Sequence, residues 1–261
     1  MDYNFLEIKR SENFATVVVN RPGSLNALNS DLLDELKSAL SELNNDASVK
    51  VVILTGAGEK AFVAGADIKE MSEMTPFEAE DFSSKGHNLL RMIKNFNKPI
   101  IAAVNGYALG GGFELALACD MIFASKNARF GFPEVTLGIM PGFGGTQNLR
   151  NILGEKVALE MILTAKIVDA DTGFIIGIVN HVFENTQELL ENVRLIAEKI
   201  ASMPFYSIKN ARDAVVNGKD MSFENSLKYE SSLFGELFST EDQKEGMKAF
   251  MEKRKPNFKN R

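Results

Sequence analysis

The stretch ALGGGFELALACD, residues 108–120, sets one acid, Glu114, behind three consecutive glycines in surroundings that are otherwise small or apolar. A strand-like run, IIAAVNG, leads into it, and a helical run, FELALA, follows. That order is a helix N-terminus fed by a tight turn. Backbone N–H groups there lack partners within the helix, the helix dipole adds partial positive charge, and glycines let a ligand approach the backbone closely. Such a place can hold a phosphate or a developing oxyanion. No Lys-Ser or Lys-Thr follows, so this is no P-loop, and the third glycine of a dinucleotide fingerprint is missing. A carboxylate in the first turn would repel a phosphate but not a neutral carbonyl or a water. An oxyanion hole beside an acid or base therefore fits better.

Two further stretches have the same character. In EKAFVAGADIKEM, residues 59–71, Ala64, Gly65 and Ala66 would expose backbone donors with little side-chain bulk after the strand-like VVILTG. In ARFGFPEVTLGIMPGFGGTQ, residues 128–147, Glu134 stands among Phe130, Phe132, Pro133 and Val135. A lone acid in an apolar stretch is costly to bury and tends to carry a raised pKa or a function. Taken singly, each has a plainer reading: a strand-to-helix turn, a capping acid, a surface acid after a proline. GFGGTQ reads as a turn and helix start in the pocket wall.

The elements that must position these residues alternate in period. FATVVVN (14–20), VKVVILTG (49–56), KPIIAAVNG (98–106) and DMIFAS (120–125) read as buried strands. SDLLDELKSALSELNN places Leu32, Leu33, Leu36, Ala39, Leu40 and Leu43 on one helical face, with Ser30 as N-cap, and residues 77–96 repeat the pattern. Strands alternating with helices predict an α/β fold with mainly parallel pairing. Beyond about residue 186 only helical patterns remain. A length of 261 residues suits one large domain or a domain with an appendage.

Composition narrows the function. A net charge of −6 speaks against a nucleic-acid binder. One cysteine, Cys119, excludes a disulfide framework and points to a reducing, cytoplasmic setting. Two histidines, His87 and His181, make a structural zinc site a poor fit, and Cys119 reads as a small core residue. MDYNFLEIKR has no apolar h-region, so no signal peptide is expected, and no run reaches the ~20 apolar residues of a membrane span.

The three stretches together resemble the enoyl-CoA hydratase/isomerase family, the crotonase superfamily, and are most like its bacterial short-chain members. NRPGSLNALN (20–29), AFVAGADIKEM, GYALGGGFELALACD and FGFPEVTLGIMPGFGGTQ look like its four signatures in order, and STEDQKEGMKAFMEKRKPNF resembles its C-terminal end. The resemblance spans nearly the whole chain. It implies a crotonase-like spiral of ββα units over residues 1–200 and a helical oligomerisation region over 201–261, assembled as a homotrimer or a hexamer of two trimers. It places the oxyanion-hole donors on the backbone N–H of Ala66 and Gly111, and the two hydratase acids on Glu114 and Glu134. Water activation falls chiefly to Glu114, kept ionised by its helix N-terminus, and α-carbon protonation chiefly to Glu134. Coenzyme A contacts fall on Leu25, Ala27, Ala64, Ala66, Asp67, Ile68, Lys69 and Gly111, with Phe250 and Lys253 from the C-terminal segment. The substrate is an acyl-CoA thioester, with no metal, no separate cofactor, no nucleic acid and no membrane. Many members of that family carry Gln, Cys and Arg where this chain has Phe132, Phe113 and Asn148. Phe132 is expected to dry the surroundings of Glu134 and raise its pKa. Hydration of short-chain trans-2-enoyl-CoA is the leading expectation. Double-bond isomerisation, decarboxylation and non-catalytic acyl-CoA binding stand beside it.

Overall fold

Apolar β-rich runs form strands and runs with apolar residues three or four apart form helices, in a repeated order of strand, strand, helix. The structure, a computed structural model, describes residues 3–261; Met1 and Asp2, the start of the MDYNFLEIKR stretch, lie outside it. The first unit is β1 (Leu6–Arg10), β2 (Phe14–Val19) and α1 (Ser30–Asn45). The second is β3 (Val51–Gly56), β4 (Ala61–Val63), α2 (Ile68–Met71) and α3 (Pro76–Lys94). The third is β5 (Ile100–Val104), β6 (Tyr107–Leu109) and α4 (Gly111–Ala118). The fourth is β7 (Met121–Ser125), β8 (Arg129–Gly131), α5 (Gly145–Leu153) and α6 (Glu155–Leu163). After β9 (Ile167–Asp169), α7 (Ala170–Ile175), β10 (His181–Phe183) and α8 (Thr186–Ala201), three helices end the chain: α9 (Phe205–Gly218), α10 (Phe223–Leu237) and α11 (Glu241–Met251).

The units wind two sheets at once. One is six-stranded, ordered β1-β2-β3-β5-β7-β10, and the other four-stranded, ordered β4-β6-β8-β9; the second, third and fourth units each give their first strand to the larger sheet and their second to the smaller. Pairing is parallel except for β1 with β2 and β8 with β9. The larger sheet is buried on both faces, which is why its strands read as continuous apolar runs. Val52 and Leu54 of β3 join the main core with Leu32, Leu36 and Leu40 of α1. Val51 and Ile53 point the other way, against Leu189, Val193 and Ala197 of α8.

Polar groups fix the joints. The N-cap of α1 is Asn29 rather than the expected Ser30, and its side chain accepts from Leu32 N–H. The Ser30 hydroxyl is instead turned to Glu70, 2.5 Å away. Arg212 of α9 is buried where the C-terminal helices meet the core. It donates to Asp120 at 2.9 Å and to the carbonyls of Phe96, Ile93 and Lys94, which end the α3 segment. Asp120 in turn accepts from Ile100 N–H.

α4 lies flush on β4 because of Gly112: a Cβ there would run into the Val63 carbonyl and side chain. Gly112→Ala should therefore lower stability by about 1–3 kcal/mol through overpacking. Gly23→Ala, whose Cβ would meet nothing within 4 Å, should stay within about 0.5 kcal/mol of the parent. Urea unfolding midpoints of the two variants check the contrast.

Candidate active site

Three loops leave three neighbouring parallel strands of the smaller sheet. β4 ends at Val63 and Ala66 follows; β6 ends at Leu109 and Gly111 follows; β8 ends at Gly131 and Glu134 follows. Because β4 pairs with β6 and β6 with β8, all parallel, these loops emerge at the same edge. Ala66, Gly111, Glu114 and Glu134 line one cavity of about 600 Å³ there. That volume suits a small-molecule ligand, and its other walls are largely apolar, including Met71, Met74, Phe82, Leu137 and Phe143.

The first loop is shaped by a parallel bridge. Leu28 N–H donates to Gly65 C=O at 2.8 Å, and Asp67 N–H donates to Leu28 C=O at 2.7 Å. The alternation of an extended chain then turns the Ala66 N–H away from Leu28. Gly111 is the first residue of α4, so its N–H has no intrahelical acceptor. Neither amide finds an acceptor among the described residues. The glycines before Glu114 divide the work. Gly110 takes φ +50°, and a Cβ on it would stand 2.7 Å from Glu134 Oε1. Gly111 supplies the amide, and Gly112 allows the close approach to β4.

Glu114 is 1% exposed, and every residue of α4 is buried. Its Oε1 accepts from Phe143 N–H at 2.8 Å and from Gly145 N–H at 2.6 Å. Gly145 opens α5 behind Gly144, which sits at φ +104°. GFGGTQ is thus a turn and helix start in the wall, as expected, and also the cradle of the carboxylate. The expectation that α4's own N-terminus keeps Glu114 ionised is corrected. The dipole that faces the carboxylate is that of α5, and burial outweighs it. Desolvation, with a smaller push from the charge of Glu134, lifts the Glu114 pKa to about 7 against the backbone hydrogen bonds.

Glu134 begins a short 3₁₀ turn, Glu134–Leu137, after Pro133. It is 9% exposed, and its Oε2 is buried with no hydrogen-bond partner among the described residues. Burial raises its pKa to about 7. Phe132, expected to dry the surroundings of Glu134, does not line the cavity. Its ring stacks at 4.8 Å on Phe113, and a Cβ on Gly145 would stand 2.5 Å from Phe132 Cζ and 2.8 Å from Glu114 Cγ. Phe132 therefore backs Glu114. β8 has ended at Gly131 and Pro133 has αR backbone, so residues 132 and 134 do not share a face as they would in a strand.

Of the expected coenzyme A contacts, Ala64, Ala66, Ile68 and Gly111 line the cavity, and Asp67 and Lys69 line a shallow depression beside it. Leu25 and Ala27 lie in the loop paired to Ala64–Asp67, where Leu25 C=O accepts from Ala64 N–H. Leu25 and Asn26 both adopt left-handed backbone, at φ +50° and +61°. The buried Asn26 side chain secures that strain by donating to the Ala57 and Ala61 carbonyls. Arg21 pairs with Asp67 at 3.1 Å. Phe250 and Lys253 do not line the cavity; Phe250 is 85% exposed on α11. His87 is exposed, Cys119 is buried in the core, and His181 opens β10. No group of three or more His, Cys, Asp or Glu able to hold a metal lies among the described residues. None of the described helices is long and apolar enough to cross a membrane.

Sheets wound in this way, with unpaired amides and two acids at one edge, define a crotonase-fold enzyme of the acyl-CoA type. The enoyl-CoA hydratase/isomerase profile matches residues 9–261, and the chain belongs to that family. The chain is 49% identical to the short-chain-enoyl-CoA hydratase of Clostridium acetobutylicum over all of both chains. It is 45% identical to the crotonyl-CoA hydratase of Syntrophomonas wolfei over 99% of each. The crystal structure of enoyl-CoA hydratase from Bacillus anthracis superposes with a TM-score of 0.95 at 38% identity, over 99% of this chain and all of that one. The protein is a lyase of the hydratase type.

The residues that sequence reasoning missed are the donors Phe143 and Gly145, whose role is carried by backbone. The cluster GFGG, residues 142–145, shortly after Glu134 was the available signal.

The raised Glu134 pKa makes folding pH-dependent. The unfolded carboxyl ionises near its ordinary 4.5 and the folded one near 7, so ionisation works against folding increasingly as pH rises between those values, and levels off above. Glu134→Gln removes this, and its melting temperature relative to the parent should climb from pH 5 to pH 8. A difference that is flat with pH would contradict the raised value.

Proposed function

We propose that the protein catalyses the reversible hydration of short-chain trans-2-enoyl-CoA, crotonyl-CoA in the first place, to 3-hydroxyacyl-CoA. The observation that carries this reading is the meeting of two unpaired amides and two raised-pKa carboxyls in one apolar cavity. The thioester oxygen would take the N–H groups of Ala66 and Gly111. Glu114 accepts a proton from water as the water oxygen bonds to the β-carbon. The displaced electron pair moves onto the thioester oxygen, where preorganised donors stabilise it. Glu134 then gives its proton to the α-carbon. One water is added in all, and the proton on Glu114 returns to the pair through solvent.

Both acids titrate near 7, so at neutral pH the pair holds about one proton. Hydrogen bonds favour the charged form of the group that receives them. Glu114 receives two and the unpartnered Glu134 Oε2 none, which supports charge on Glu114 and the proton on Glu134. Coenzyme A is part of the substrate, so the reaction calls for no separate cofactor. Its adenine end would lie along Leu25, Ala27 and Ala64–Lys69, with Phe250 and Lys253 contributing across a subunit boundary. Exposed large apolar side chains on α9, α10 and α11, among them Val215, Phe223 and Phe234, support assembly as a homotrimer or a hexamer. They also support the division into a core over 1–200 and an oligomerisation region over 201–261. A cytoplasmic location is part of the same reading.

The test is crotonyl-CoA in buffer, followed by loss of the ultraviolet absorbance of the conjugated thioester and by mass of the hydrated product. Turnover by the parent is expected, with Glu114→Ala and Glu134→Ala each reduced about 10²–10⁴-fold. An isomerised or decarboxylated product would move the reading to another reaction of the fold. Binding with no product would make the protein a non-catalytic acyl-CoA binder.

A further inference from the structure

The segment 138–144 holds Glu114, and α3 holds the segment. Phe82 of α3 stacks on Phe143 with ring centroids 5.2 Å apart. Gly86, one turn on, leaves the space that the Phe143 ring fills; a Cβ there would run into that ring. On its other side the ring lies 3.3 Å from where a Cβ on Gly111 would stand. The polar part of this clamp is one hydrogen bond. The Ser83 hydroxyl donates to the Gly142 carbonyl at 2.6 Å. Gly142 C=O and Phe143 N–H belong to the same peptide group, and that N–H donates to Glu114 Oε1. The peptide is thus held at both ends, and each bond polarises it for the other.

We propose that Ser83 is a positioning residue for the Glu114 carboxylate: its hydroxyl fixes the Gly142–Phe143 peptide so that the N–H stays aimed at Oε1. The inference rests on the reading of Glu114 as the water-activating acid. Phe82 and Ser83 also line the cavity, so the wall that an acyl chain would touch is the wall that sets the carboxylate. Without the hydroxyl, the Gly142 carbonyl loses its partner and the Phe143 N–H loses its alignment, so the charged form of Glu114 is less favoured. Of the groups around Glu114, Glu134 is the one whose charge reaches it. Segment 138–144 carries no ionisable side chain, and in α5 the first is Arg150. On α3, Glu78, Glu80, Asp81, Lys85 and His87 are exposed.

Ser83→Ala and the pair Ser83→Thr and Ser83→Val, alike in shape and different in the hydroxyl, test this with crotonyl-CoA. Loss of the hydroxyl should lower kcat roughly ten-fold, leave KM within about two-fold, and move the acidic limb of the pH profile to higher pH. Thr should recover most of kcat and the parent limb, and Val should not. Carbon-13 titration of the Glu114 carboxyl in the substrate-free protein reads the same shift independently of turnover. Equal kcat and equal limbs in Thr and Val, or an unmoved Glu114 titration in Val, would overturn the assignment. A parent that does not hydrate crotonyl-CoA would overturn the functional reading instead, and the titration would still decide the role of Ser83.

Discussion

Burying a carboxylate is the constraint around which this molecule is organised. Glu114 sits on a helix with no exposed residue, where an unpaired charge would be prohibitive. Two backbone N–H groups make it tolerable, and backbone donors are reliable only where the backbone cannot move. The loop that supplies them is therefore closed by Gly145 at the start of α5, by the Phe82–Phe143 stack and by the Ser83 hydroxyl. Phe113 and Phe132 seal the side away from the cavity. These groups come from three units of the chain, the second through α3, the third through α4 and the fourth through the segment from β8 to α5, so the site is a product of the winding rather than of one motif.

The second sheet explains how distant segments meet. Strands of three residues are too short to be stable alone. They are held because each is covalently followed or preceded by a strand or helix of the larger layer. Parallel order β4-β6-β8 makes their C-terminal loops neighbours, and so Ala66, Gly111 and Glu134 share one edge. Unpaired N–H groups arise there for two different reasons, a bridge that points one amide outward and a helix start that leaves another without an acceptor.

The long elements were legible. FATVVVN, VVILTG, IIAAV and the segments for α1 and α3 have strong periodicity over enough residues, and the structure forms β2, β3, β5, α1 and α3 there. β4, β6, β8 and β9 were not, because three residues cannot display a period and their pairing comes from the neighbouring unit. Glu114 and Glu134 were visible as acids out of place, and the sequence resemblance put them on the same site. What it could not show was direction. Phe132 looked like a neighbour of Glu134 by two residues in sequence, yet the end of β8 and the αR backbone of Pro133 set it behind Glu114. The cap of α1 moved by one residue because Ser30 had a competing partner in Glu70.

The two acids have the same raised pKa for unequal reasons, and the inequality is what makes them useful together. Glu114 is the more deeply buried but is hydrogen-bonded; Glu134 is less buried but has an oxygen with no partner. Greater desolvation offset by the donors of the Phe143–Gly145 loop, and lesser desolvation offset only by the residue's own backbone N–H, arrive at a similar value. The proton that the pair shares near neutrality is less favoured on Glu114, whose charged form two backbone N–H groups stabilise at Oε1. It is better placed at Glu134, whose buried Oε2 has no hydrogen-bond partner among the described residues. An orphaned buried oxygen is otherwise a flaw. Here it belongs to a residue that lines the cavity, and the side chain missing at Gly110 leaves room for the other oxygen of the same carboxyl, Oε1.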